Sequence, residues 1–126
     1  MPGTSVLAIG LDPTCADPAT FGGLSPDAVK SYVVAQLALL QAQGYDVESC
    51  LICPGESAED TLKRALEART FDCVVIGAGL RQPASQLLLF ERIINLVHER
   101  APQARICFNT KPADTIDAVQ RWVPSS

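Results

Sequence analysis

Apolar residues are spaced along this chain in two rhythms. Four short runs, Ser5–Leu11, Val47–Cys53, Cys73–Ile76 and Arg105–Phe108, are continuously or alternately apolar and rich in β-branched residues, as strands are. Between and after them, apolar residues recur every three or four positions, the period of a helix with one buried stripe. The first helical segment opens with Ser25-Pro26-Asp27, a capping residue followed by proline in the first turn. It carries Val29, Tyr32, Val33, Leu37 and Leu40 on one stripe, and Gly44 supplies a left-handed stop. The second opens at Ser57, with Asp60 as a capping-box substitute, and presents Ala58, Leu62, Ala65 and Leu66 for burial. The third runs from Pro83 or Ser85 to Arg100 and stops before Pro102. The fourth begins at Pro112, with Ile116, Val119 and Val123 on one side beside Trp122.

Strands and helices alternating at these spacings predict a βαβαβαβα chain with a parallel sheet. The first and third strands are apolar throughout, which suits central positions covered on both faces. Glu48 and Ser49 in the second, and Arg105 in the fourth, suit the edges. Right-handed crossovers then give the order 2-1-3-4 in a three-layer αβα, flavodoxin-like or Rossmann-like arrangement. At 126 residues the chain forms one domain, residues 1–126.

Composition changes that picture little, but it excludes several classes. The chain is 48% apolar and 19% charged, which rules out disorder, and its apolar runs are too short to span a bilayer. A net charge of −4 lacks the basic footprint for nucleic acid or an anionic membrane surface. The charge is uneven: residues 1–62 hold eight acids and one base, whereas residues 63–126 hold nine bases and six acids. The second half is therefore the better place for an anion. The N-terminus has no basic region ahead of an apolar one, so no signal peptide is expected and the location is read as cytoplasmic.

Five cysteines, 15, 50, 53, 73 and 107, are expected as reduced thiols in that setting. Cys73 and Cys107 lie in apolar runs as core fillers. Cys50 and Cys53 are separated by extended chain that points them to opposite faces. One histidine and no second C-x-x-C argue against a structural metal site.

The topology locates the candidate site. Ligands of open α/β sheets bind beyond the strands' carboxyl ends, where the chain reverses direction across the sheet, here between the first and third strands. The residues placed there are Asp12 and the long loop to Leu24, Cys53 to Ser57, Gly77-Ala78-Gly79-Leu80-Arg81, and Asn109-Thr110-Lys111-Pro112. Gly77, Ala78 and Gly79 let the backbone approach a ligand, and Arg81 can fork onto an oxyanion. Lys111 adds a cation, and Asn109 and Thr110 add hydrogen-bonding groups. The alternative is a tight turn whose glycines serve only to adopt positive φ. The third glycine and the acidic residue of a dinucleotide fingerprint are missing, so no cofactor is expected.

Asp12 is a weak catalytic candidate, since a lone carboxylate beside Pro13 is more often a turn or cap residue. Cys53 is another, near a helix start that lowers thiol pKa, but no base can be assigned to it and Glu56 opposes a thiolate. His98, with Glu91 and Asn95, reads as a solvent-facing stripe. The rest of that third helix is unusually apolar: Leu87, Leu88, Leu89, Phe90, Ile93, Ile94, Leu96 and Val97 cover more than half its circumference. Either the second helix or a second copy of the chain covers the excess, and a homodimer is expected.

Phe108-Asn109-Thr110-Lys111-Pro112 and the helix after it resemble the Lys-Pro turn before the last helix of response-regulator receiver domains. The likeness covers about 15 residues and departs at the chemistry. A receiver has an acidic cluster after its first strand and a phosphoaccepting aspartate after its third, where this chain has Asp12 alone and Gly77. It therefore implies an interaction module without the phosphoacceptor. Nearly the whole chain resembles a group of short, uncharacterised microbial proteins with a Rossmann-like layout. That likeness is carried by Phe71 to Gly79, Leu88-Leu89-Phe90-Glu91 with Val97-His98-Glu99, and Phe108 through Trp122. It implies the fold and a bacterial or fungal cytoplasmic origin, and no catalytic roles.

Three functions are thus open. The first is a module binding an anionic or phosphorylated small molecule at the switch point. The second is a regulatory or protein-interaction domain using the apolar third helix. The third is a small hydrolase or thiol-dependent transferase using Asp12 or Cys53.

Overall fold

A computed structural model of the chain describes residues 4–16, 22–55, 57–111 and 114–124. Strands β1 (Ser5–Leu11), β2 (Asp46–Ile52), β3 (Cys73–Ile76) and β4 (Arg105–Phe108) alternate with five helices. These are α1 (Pro26–Ala42), α2 (Ser57–Ala68), α3 (Ala78–Arg81), α4 (Leu87–Arg100) and α5 (Thr115–Trp122). The strands form one all-parallel sheet in the order β2-β1-β3-β4, flanked by helices in a flavodoxin-like three-layer fold. The predicted order holds, as do the bounds of β1, β3 and β4; β2 begins and ends one residue earlier than expected, so Cys53 lies just past its end. Residues Glu56 and Pro112, invoked above for the Cys53 environment and the start of the last helix, lie outside the described residues.

Alternation sends the two sides of each strand into different cores. Leu7, Ile9, Leu11, Cys50, Ile52, Val74 and Ile76 pack against Ala58, Leu62 and Leu66 of α2 and Ile93 and Val97 of α4. On the other face, Val6, Cys73, Val75 and Cys107 meet Leu40 of α1 and Ala118 and Val119 of α5. The amino ends of β1 and β3 are pinned together by a clamp between buried Ser5 and exposed Asp72. Ser5 N donates to Asp72 Oδ2 at 2.9 Å, and Asp72 N donates back to Ser5 Oγ at 3.0 Å.

Ser25 caps α1 by accepting from Ala28 N at 3.1 Å, and Gly44 takes φ +93° just past its end, as the sequence predicts. α2 and α4 share one core with the sheet, and Arg92–Glu59 (3.5 Å) and Arg100–Glu67 (2.9 Å) pairs join the two helices. What stays uncovered is the first turn of α4, where Leu87 is 60% and Leu88 70% exposed. His98, Glu91 and Asn95 face solvent. Among the described residues, no helix is long and apolar enough to cross a membrane.

One element departs from expectation. Residues 77–81, read as a glycine loop, contain the short helix α3, followed by a 3-10 turn at Ala84–Gln86 before α4 begins. Leu80 is fully buried, so the chain must turn inward immediately after β3. Pro83 then interrupts the helix, because proline has no N–H to donate back along it.

Candidate functional site

β1 and β3 part company at their carboxyl ends through a difference in hydrogen bonding. The β3 side leaves after Gly77 N donates to Ile9 O at 2.8 Å. β1 stays with β2 longer, to Asp12 N donating to Ile52 O at 2.8 Å. The crevice expected at the switch point lies between these departures.

It opens into a cavity of about 710 Å³ under α1, on the sheet face shared with α5. Ligand pockets typically measure roughly 300–1,000 Å³, so the space is large enough for a small organic molecule. Its origin is visible in the strands. On this face β1 presents Val6, Ala8 and then Gly10, and β3 presents Cys73, Val75 and then Gly77, so side chains shrink toward the carboxyl edge. A helix laid over a tapering surface cannot touch it everywhere, and the gap remains. Val29, Tyr32, Val33 and Leu37 of α1 form the roof, and Asn109, Thr110 and Lys111 the end beyond β4.

A side chain at Gly77 would fill the floor of the cavity rather than clash with it. A Cβ there would lie 3.4 Å from Ile9 O and 3.6 Å from Gly10 Cα, in the floor where β1 and β3 separate. Positive φ is confined to Gly22, Gly23, Gly44 and Gly55 among the described residues. The turn-geometry reading of Gly77 and Gly79 therefore does not apply.

The residues proposed from sequence fall into two groups. Gly77, Ala78, Gly79, Asn109, Thr110 and Lys111 line the cavity together. Asp12 and Arg81 do not line it. Arg81 turns away, donating through Nη2 to Asn109 O with its guanidinium 5.4 Å from the Phe108 ring centroid. Its Nε is buried without a hydrogen-bond partner among the described residues.

The polar groups at the cavity end are largely occupied with one another. Asn109 is 8% exposed; its Oδ1 accepts from Ala78 N at 2.8 Å and its Nδ2 donates to Thr115 Oγ1 at 2.9 Å. It thus caps α3 from a residue on the far side of α4. Asp114 accepts from Thr110 N at 2.9 Å, from Lys111 N at 3.2 Å and from the Thr110 hydroxyl, closing the turn that carries Lys111. Partial burial pushes the Asp114 carboxyl up, but those hydrogen bonds outweigh it and leave its pKa below the ordinary value. Gln36 contributes the opposite kind of group: its Oε1 lines the cavity, buried and unpartnered among the described residues. Buried acceptors in proteins are rarely left unmatched.

Asp12 sits instead in a cluster beside the end of β2. Its Oδ1 accepts from Thr14 N at 3.0 Å and Thr14 Oγ1 at 2.8 Å, capping a 3-10 turn, Pro13–Cys15. The Thr14 hydroxyl, then its amide, hold the Asp12 carboxyl below its usual pKa. The turn carries Cys15 to Cys53, and the two form a disulfide with Cα atoms 5.5 Å apart. This corrects the expectation of five reduced thiols. Cys53 has no free thiolate for nucleophilic chemistry while that bond stands. The cause is topological: β1 and β2 are neighbours, so loops leaving their carboxyl ends meet, a contact the local C-x-x-C spacing conceals. Cys50, as expected, points the other way and is buried. Cys73 and Cys107 are core residues, their sulfurs 3.5 Å apart, and that contact together with burial pushes the Cys73 thiol up.

No protein-family model matches this chain, and no curated protein matches it in sequence. The functional reading therefore rests on the geometry.

Proposed function

We propose that this protein is a small-molecule-binding module whose ligand lies in the cavity at the β1/β3 switch point. The ligand class that suits the lining is an anion with an apolar body. The body packs between the α1 roof, Val29, Val33 and Leu37, and Ala8 and Val75 of the sheet. The negative group lies at the Lys111 end, and a hydrogen-bond donor on the ligand satisfies Gln36 Oε1. A phosphorylated ligand held by Arg81 is less well supported, because that guanidinium is engaged with Asn109 O and Phe108. The observation that carries the proposal is the cavity itself, formed by tapering side chains where doubly wound sheets bind ligands. A cytoplasmic setting belongs to the same proposal, with the Cys15–Cys53 bond as a reversible one.

Titration with the fluorescent apolar anion anilinonaphthalene sulfonate tests it. One saturable site per chain is expected, lost in Val33→Trp without loss of fold. Lys111→Ala should weaken this anion several-fold while leaving a neutral naphthalene analogue unchanged. Non-saturating binding, or binding indifferent to Val33→Trp, refutes the proposal.

A second reading has one observation in its favour. Leu87 and Leu88 stand adjacent and exposed at the start of α4, where an interaction surface or homodimer would bury them. The Phe90 and Ile94 side chains are half-buried against the core, so Leu88→Glu is the cleaner probe. Sedimentation should then show a dimer in the wild type and a monomer in the variant; a monomeric wild type removes the dimer.

A further inference from the structure

Asp12, Cys15 and Cys53 form a cluster that the cavity does not use. One carboxylate oxygen and the two sulfurs lie within 4.8 Å of one another. Two features fix them, and a third makes them accessible. The ladder bond from Asp12 N to Ile52 O, 2.8 Å, holds the end of β1 against the residue preceding Cys53. Two hydrogen bonds from Thr14 to Asp12 Oδ1 orient the carboxylate and shape the turn that returns Cys15. Cys15 is exposed and Cys53 half-buried, so reductant and ions reach both.

We propose that Asp12, Cys15 and Cys53 form a redox-gated site for a thiophilic divalent cation of the zinc class, closed as the disulfide and opened by reduction. A dithiol reductant delivers two electrons and two protons to the sulfur–sulfur bond, yielding two thiols and its own disulfide. The cation then displaces both thiol protons and is held by two thiolates and the Asp12 carboxylate, with the fourth position left to water. Two protons are released for each cation bound. Tetrahedral zinc with Zn–S near 2.3 Å separates two sulfurs by about 3.8 Å, and sulfur from oxygen by slightly less. Cα atoms 5.5 Å apart are near enough for two Cys side chains to share one cation once the sulfur–sulfur bond is opened. Thr14 is then a positioning residue, fixing one carboxylate oxygen and leaving the other to face the cation.

Cobalt(II), a spectroscopic stand-in for zinc, tests this on the whole chain, reduced and desalted without oxygen. The expected result is one cobalt per chain with a thiolate-to-cobalt charge-transfer band and tetrahedral d–d bands. The oxidised protein should show neither. Cys53→Ser should abolish the band, Asp12→Asn should weaken binding, and Thr14→Val should weaken it on the order of 10-fold to 100-fold. Circular dichroism of each reduced variant establishes that it remains folded. Absence of the band in folded, reduced wild type overturns the proposal, as does a reduced wild type that unfolds. A band of equal strength in both Cys53→Ser and Asp12→Asn also overturns it, because the cation then sits elsewhere.

Discussion

Replacing Asn109 by leucine separates a structural clamp from a ligand contact. The side-chain amide is oriented by chemistry: Ala78 N–H can only donate, so the atom 2.8 Å from it must be Oδ1, and Nδ2 faces Thr115 Oγ1 at 2.9 Å. Leucine removes both bonds, each worth about 1 kcal/mol net, and orphans the buried Ala78 N–H at a cost of about 1–3 kcal/mol. Added apolar burial returns about 1 kcal/mol, for a net loss of about 2–4 kcal/mol. Domains of this size have roughly 5–15 kcal/mol in hand, so the variant should fold, with a melting temperature lower by about 10 °C. Asn109→Asp keeps an acceptor for Ala78 N, the donor that leucine orphans, so it should lose less. Urea unfolding at neutral pH measures both, and an unchanged m-value confirms that the native state alone is affected. If Asn109→Leu lies within 1 kcal/mol of wild type, or is no worse than Asn109→Asp, Asn109 does not hold α3 in place.

Two further outcomes follow from named contacts. The Cys15–Cys53 bond closes a loop with a sequence separation of 38, and chain-entropy arguments give about 4 kcal/mol of stabilisation. Urea unfolding with and without reductant should differ by up to that amount, and the Cys15→Ser, Cys53→Ser double variant should match the reduced wild type; identical curves for oxidised and reduced wild type contradict the bond. Asp114 has a folded pKa below its unfolded value near 3.9, so its contribution is present above that pH and fades as pH falls through the folded value. Asp114→Asn should therefore be less stable than wild type at pH 6, the gap narrowing below about pH 4, and a gap independent of pH would count against the hydrogen-bonded carboxylate.

The sheet was legible because its information is local. Runs of Val and Ile, the Ser25-Pro26 start and the Gly44 stop each act within a few residues, and right-handed crossovers convert their sequence into a strand order. What stayed hidden depends on partners distant in the chain. Gly77 to Arg81 folds as a helix because Leu80 needs burial and Asn109, 31 positions on, receives its first N–H. Cys15 reaches Cys53 only through the pairing of β1 with β2.

The cavity was half legible. Read in alternate positions, β1 has one bulky face, Leu7, Ile9 and Leu11, and one tapering face, Val6, Ala8 and Gly10. Evenly filled cores do not taper in this way, and the space left is unfilled at a cost in stability. Ala8→Leu turns that statement into a measurement. Ala8 is half-buried and lines the cavity, so three added carbons project into open space rather than into packed atoms. Filling it should leave stability unchanged or raise it by up to about 2 kcal/mol, at about 0.8 kcal/mol per buried methylene. The same substitution should abolish binding of the naphthalene sulfonate probe. Stability and binding would then move in opposite directions, as they must where space is kept for a ligand. A variant destabilised by more than about 2 kcal/mol would reveal an overpacked core at that position instead, and the argument for the site would fail with it.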